Sequence, residues 1–378
     1  MAWLRKRGRR TVGLVVAASA ALALTSCSPG GSGEGESGDR EAKYQRVIED
    51  PHPRPADVIA AAGAPADVVR ADDGSLLLTY DAGNVEDDEG PAASAWRIVG
   101  PDGRTVAEHA EHTDAEAAPV AFKGVPGGFV RVPSEGGTEG AYALDVHGKR
   151  HKVVITGTPM RIRPGDILLA EMEPTLIYRP ATRAVAPPAG VPDDAIQLAV
   201  DERGTAWSLE QRLTEDPDRV LWQRDGRTLG STAVPKSYEG GILAARGGTA
   251  ALSLTRGESV RGLLATTDGG RHWQTVLGNG IPFRDLKRGP ESLVLEVLAD
   301  GRLLVGEEGG RYWLADDRAN SVFHELKTPA AFTSFVVDGT TLHGIADATT
   351  ATYDLVKNEG LWTSRDGGRA WKRYKQRG

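Results

Sequence analysis

Cys27 is the only cysteine in a chain of 378 residues, so no internal disulfide and no cysteine-rich zinc site is open to it. A lone thiol still has chemistry as a nucleophile or an acyl acceptor. Carboxylates form the second candidate set. Glu86, Asp87, Asp88 and Glu89 are consecutive, and Glu215 and Asp216 form a smaller pair. Such clusters draw cationic groups: a basic protein segment, a polyamine-like ligand or calcium. The same residues serve equally as solvated loop tips that keep the surface polar. No stretch has the regular Asp-x-Asp-x-Asp-Gly spacing of a calcium loop, which leaves calcium the weakest of these options and no cofactor expected. His147 and His151 lie four apart, but Gly148 between them marks a turn, so they do not share a helical face as a zinc pair does. There is no Gly-x-x-x-x-Gly-Lys-Ser/Thr phosphate loop and no Gly-x-Ser-x-Gly nucleophile elbow.

The setting of Cys27 suggests its use. Arg5, Lys6, Arg7, Arg9 and Arg10 form a basic start, and an apolar run follows from Val12 to Leu24. This is the layout of an export signal. The run of 13 residues is too short to span roughly 30 Å of hydrocarbon at about 1.5 Å per residue. It closes in Leu24-Thr25-Ser26-Cys27, which resembles the lipobox of bacterial lipoproteins. The resemblance implies that residues 1–26 are removed and that Cys27 is acylated and becomes the new N-terminus. Its acyl chains, at about 0.8 kcal/mol per buried methylene, would hold the protein on the outer face of the cytoplasmic membrane. Arg9-Arg10 is loosely similar to a twin-arginine export signal. Loss of residues 1–26 lowers the formal net charge from −7 to −12, which makes nucleic acid a poor partner. Residues 27–45 then read as the acylated cysteine and a flexible Gly/Ser/Glu tether. Residues 46–378 are the folded body, expected to be monomeric.

What positions any site in that body is a repeat. Forty-seven glycines and only 6% aromatic residues favour many tight turns. Apart from a short helix over Pro55–Ala62, no 3.6-residue apolar period is sustained. The recurring unit is strand, turn, strand, and its clearest copies are ATTDGGRHW, residues 265–273, and TSRDGGRAW, residues 363–371. Weaker copies centre on Gly103, Gly148, Thr182, Gly226 and Arg318. With Gly269 and Gly367 the seven centres are 34 to 49 residues apart and average 44. That period predicts an all-β fold, a β-propeller of seven blades, since a four-stranded blade cannot cover its own faces alone. The shortest interval, 34, precedes Thr182 and marks an eroded third blade or a miscount by one. Inner strands are expected at residues 75–80, 128–132, 196–200, 242–245, 293–297 and 335–337.

Both clear copies satisfy Ser/Thr-x-Asp-x-Gly-x-x-Trp, through Thr266, Asp268, Gly270 and Trp273 and through Ser364, Asp366, Gly368 and Trp371. This resembles the Asp-box, or bacterial neuraminidase repeat, of sialidases, sortilin-like receptors and photosystem II stability factors. The residue types have a mechanical reason. Carboxylate and hydroxyl accept hydrogen bonds from turn amides that lack a ladder partner, glycine supplies φ > 0, and Trp carries apolar area between blades. The box is therefore expected to be structural.

A sialidase-like resemblance would imply a glycosidase with three arginines on the substrate carboxylate and a Tyr–Glu nucleophile. Its entry marker, Phe/Tyr-Arg-Ile-Pro, is approached only by Met160-Arg-Ile-Arg-Pro164. No further arginine and no Tyr–Glu pair can be placed by motif, so a glycan-binding or glycoside-hydrolase role is the alternative reading. The main one follows from strand alternation. Connections between second and third strands share one face, and those over residues 84–90, 133–139, 214–219 and 347–359 hold twelve acids against Arg219 and Lys357. The expectation is a binding or scaffolding propeller that presents an acidic face to a basic protein partner.

Overall fold

The computed structural model describes residues 42, 45–82, 92–113, 121–132, 141–169, 175–192, 194–211, 216–286, 292–307, 310–332, 334–346 and 360–374. Among them, seven four-stranded sheets close into a ring. The expected seven-bladed propeller is the fold.

From the channel outward, blade 1 comprises Asp67–Arg70, Leu76–Ala82, Ala92–Val99 and Thr105–Thr113. Blade 2 comprises Ala121–Val125, Gly128–Val132, Tyr142–Asp145 and Arg150–Lys152. Blade 4 is built from Ala195–Val200, Thr205–Glu210, Arg219–Arg224 and Arg227–Ala233. Blade 5 is built from Glu239–Arg246, Thr249–Arg256, Ser259–Thr266 and Gln274–Val276. Blade 6 follows with Leu293–Val297, Leu303–Glu307, Tyr312–Ala315 and Phe323–Glu325. Blade 7 ends the ring with Ser334–Asp338, Thr341–Ala346, Gly360–Ser364 and Lys372–Arg373.

Strand alternation explains the packing. In the second strand of blade 5, Ala250, Leu252 and Leu254 face blade 4, while Ala251 faces blade 6. Every pair of successive blades is bridged by its own buried cluster, the pair 7 and 1 included. Each fully buried Leu, Trp or Phe in them is worth roughly 1.5–3 kcal/mol relative to exposure. Second strands, covered on both faces, are the most apolar. This corrects two expectations: residues 75–80 and 128–132 are second strands, and the true inner strands of blades 1 and 2 are the less apolar Asp67–Arg70 and Ala121–Val125. Inner strands line the channel and keep polar residues on one side. The other four inner strands lie where expected.

Blade 3 departs from the rule. It holds Ile167–Leu169, Leu176–Arg179 and Ala184–Ala186, and its outer strand is Val154–Ile155, drawn from upstream and paired parallel. The Thr182 turn therefore joins second to third strands, not third to fourth as expected. Pro187 and Pro188 follow the third strand directly; without N–H donors they stop the hairpin from continuing. The blade is also inverted. Arg163 and Pro164, just before its inner strand, press on Gly204, just after the inner strand of blade 4, where an added Cβ would come within 2.6 Å of the Arg163 carbonyl carbon.

Among the described residues, blade 7 takes all four of its strands from the C-terminal segment, and the ring closes without a strand from the N-terminus. The helix Pro55–Ala62, present as expected, packs Val58, Ile59, Ala61 and Ala62 with blade 1 into a cluster that also holds Ile345 and Leu361 of blade 7. Val47 and Ile48 are buried there too, and the Tyr374 hydroxyl reaches the Gly103 carbonyl oxygen across the seam.

Candidate functional site

Three places combine positioned polar groups with access: the two Ser/Thr-x-Asp-x-Gly-x-x-Trp turns, the channel, and a cavity at the rim of blade 5. In the first turn, Thr266 Oγ1 donates to Asp268 Oδ1 at 3.0 Å and accepts from the Gly270 amide at 3.1 Å. Asp268 Oδ1 accepts from the amides of Arg271 and His272, both at 3.0 Å, and His272 Nδ1 lies 2.6 Å from Oδ2. The second turn repeats this. Ser364 Oγ donates to Asp366 Oδ1 at 2.8 Å and accepts from Gly368 at 2.8 Å, while Asp366 accepts from Arg369 at 3.1 Å and Ala370 at 3.0 Å. The hydrogen bond with the His272 side chain first, then the His272 amide and the Thr266 hydroxyl, hold the Asp268 carboxyl far below the usual carboxylate range. The Ala370 amide and the Ser364 hydroxyl lower that of Asp366. These carboxylates are spent on their own turns.

The tryptophans point backward around the ring. Trp273 of blade 5 joins Trp207 and Trp222 of blade 4, with ring centroids 6.1 and 5.7 Å away. Trp371 of blade 7 lies 5.1 Å from Phe332 and 6.1 Å from Phe335. Both serve packing between blades.

The channel holds a cavity of about 1100 Å³ lined by the inner strands of blades 1 to 6. Among its described lining residues are six acids, Asp72, Asp166, Asp194, Asp201, Glu202 and Glu296, and three bases, Arg70, Lys123 and Arg246. Four of the acids are held in place. Asp72 accepts from the Gly127 amide at 2.9 Å, and buried Asp201 accepts from the Arg203 and Thr205 amides at 3.0 and 2.9 Å. Asp166 is buried and takes Arg179 through two bonds of 2.9 and 2.6 Å. Glu202 accepts from Arg246 Nε at 2.7 Å and the Gly247 amide at 2.9 Å. Burial works against the Glu202 carboxylate, but these donors outweigh it and hold its pKa below the ordinary value. Aliphatic groups are exposed between the charges, Ile196 at 48%. Close approach of the inner strands depends on Gly124, where a Cβ would meet the Arg70 carbonyl oxygen at 2.0 Å. Sequence reading passed over these residues; the signal was charge ending an apolar inner strand, as in LAVDE at 198–202 and AAR at 244–246.

Of the residues expected to recruit a cation, Glu86, Asp87, Asp88, Glu89 and Glu215 lie outside the described residues, as does Cys27. Asp216 is exposed. Asp218, counted with them, is buried, and its carboxylate accepts from the Gly240 amide at 3.2 Å; Arg219 pairs with Glu210. Those two are therefore structural. Nor is the face uniformly acidic: over blade 5, Arg256, Arg261 and Arg284 line one cavity of about 920 Å³. The segment Met160–Pro164 lies against blade 4, its Met160–Arg161 pairing with Pro188–Ala189. His151 Nε2 sits 3.1 Å from Asp145 Oδ2, and His147 is exposed. Among the described residues, no group of three or more His, Cys, Asp or Glu is placed to hold a metal ion, and no helix is long and apolar enough to cross a membrane.

No family model and no curated protein matches the chain. Solved structures do. A structure described as YCF48 bound to D1 peptide is 16% identical over 48% of this chain and 56% of that one, with a TM-score of 0.29. The acylaminoacyl peptidase of Pyrococcus horikoshii is 13% identical over 82% of this chain and 52% of that one, with a TM-score of 0.43. The Cps50 (Swd1) β-propeller domain of Myceliophteria thermophila is 16% identical over 56% and 73%, with a TM-score of 0.32. The chain thus spans about half the length of the first two, and the likeness is one of fold.

Proposed function

We propose that this chain is a lipid-anchored Asp-box propeller, held on the outer face of a bacterial cytoplasmic membrane through acylated Cys27, that binds a protein partner as a monomeric scaffold. The lipobox-like Leu24-Thr25-Ser26-Cys27 supports the anchor. The two hydrogen-bonded turns support the family resemblance.

The observation that carries the binding role is the channel cavity. Its wall exposes aliphatic side chains beside fixed charges of both signs, a mixture that suits a polypeptide surface with a desolvated centre and a polar rim. Fold alone does not set function; the site does. Lys123 lines the cavity, so an amine-reactive cross-linker applied to intact cells tests the reading. A discrete protein joined to the wild-type chain through Lys123, and lost in Lys123→Arg, is expected. The absence of any Lys123-dependent product contradicts it. The anchor has its own test: labelled palmitate enters the wild-type chain and not Cys27→Ala.

A further inference from the structure

The cavity at the rim of blade 5 is built by local devices. Arg256 ends the second strand, and the third returns across the Gly257 turn. The register slips between Leu254 and Thr255, and the resulting bulge takes Arg261 out of the ladder. Beside it, a Cβ on Gly262 would fall 2.4 Å from the Val276 carbonyl oxygen. Glycine there lets the outer strand close in and brings Leu277, 56% exposed, alongside. Arg284 rides on the 3-10 turn Phe283–Asp285, which Ile281 and Phe283 pin into the core between blades 5 and 6. Tyr238 and Pro282 complete the wall.

Several arginines elsewhere are neutralised in place. Arg97 meets Glu108, Arg131 meets Glu111, Arg179 meets Asp166 and Arg246 meets Glu202. Arg256, Arg261 and Arg284 form no ion pair among the described residues, and Asp285 is the one carboxylate among the lining residues. Two positive charges are left over beside apolar surface, on a protein whose net charge is −7.

We infer that this cavity binds an acidic polypeptide segment, with side-chain carboxylates on the arginines and an apolar side chain against Leu277 and Pro282. Guanidinium groups favour carboxylates through paired, charge-assisted hydrogen bonds. About 920 Å³ is the scale of an organic ligand rather than one small anion. A long polyanion or an anionic bilayer would meet the net negative charge of the whole chain, whereas a short acidic segment docks within the basic zone. The inference rests on the protein-binding reading for the nature of the occupant, but places a second contact outside the channel.

The test is fluorescence anisotropy of a labelled peptide alternating glutamate with leucine and phenylalanine, titrated with the detergent-solubilised full chain. Binding that vanishes when glutamine replaces glutamate and weakens with added salt is expected. Arg256→Gln and Arg261→Gln should each weaken it about tenfold, the scale of one charge-assisted bond. Arg271→Gln, an exposed arginine outside the cavity, should leave it unchanged. Equal binding of the glutamine peptide, or no binding by the wild-type chain, overturns the inference without recourse to any variant. So does complete displacement by inorganic phosphate at equal concentration, or binding to phosphatidylglycerol vesicles in place of the peptide. Cross-linking through Lys123 does not depend on these arginines, so failure here and failure of the channel reading are separately visible.

Discussion

Gly270 of blade 5 lies flat against Trp222 of blade 4, so close that an added Cβ would stand 2.4 Å from the indole. Its φ of +90° is also one that side-chain-bearing residues rarely adopt. The pattern recurs: a Cβ on Gly368 of blade 7 would stand 2.6 Å from Leu326 of blade 6. Glycine in each turn is what lets one blade seat on the one before it.

Gly270→Ala should therefore lower stability by about 3 kcal/mol, combining backbone strain with overpacking. Gly269→Ala has a φ of +79° but open space around its Cβ, and should cost only about 1 kcal/mol. Chemical denaturation reads both. In a Trp222→Leu background the Gly270→Ala penalty should shrink by about 1 kcal/mol; an unchanged penalty removes the indole from the explanation.

Acid should loosen the same turns. The folded-state pKa of Asp366 lies below its ordinary value, so its stabilising effect is complete above about pH 4 and is lost as pH falls through the lowered value. Asp366→Asn should be less stable than wild type at neutral pH, and that difference should narrow in acid. A constant difference across the titration contradicts the assigned cause.

Breaking the buried pair in the inverted blade should be costly. Asp166→Ala leaves Arg179, 15% exposed, without its carboxylate and is expected to lower stability by about 3 kcal/mol. Denaturant midpoints check this, and a loss well under 1 kcal/mol would mean that the pair is replaced by solvent.

The seam between blades 7 and 1 hangs on the N-terminal helix. Val58→Asp places a carboxylate at a position with 0% exposure and should lower stability by at least about 3 kcal/mol. Hydrogen exchange should quicken together in Leu76–Ala82 and Thr341–Ala346 while Thr205–Glu210 keeps its protection. Uniform quickening around the ring would argue against a helix-dependent seam.

Much of this architecture was legible because turn chemistry is local. An Asp, a Ser or Thr and a Gly at fixed offsets report a third-to-fourth connection wherever they occur, as Asp268 and Asp366 do. Strand order was harder. Leu76, Leu77 and Leu78 read as an inner strand because they are the most apolar run in blade 1, yet full cover on both faces is what makes a second strand apolar. Blade 3 was opaque for another reason: a strand borrowed from Val154–Ile155 leaves no hairpin signal. The channel charges, Asp201 and Arg246 among them, were visible as residues but not as neighbours, since only ring closure brings them together. Arg256 and Arg261 escaped notice because a face judged by its acidic loops was taken as one sign throughout.

The most direct measurement of the binding role is photo-cross-linking in living cells from two positions of similar exposure, Ile196 in the channel and Leu229 on the outer strand of blade 4. A probe at Ile196 should trap one discrete protein and a probe at Leu229 should not. No product from Ile196, or the same products from both positions, would contradict a channel that receives a partner.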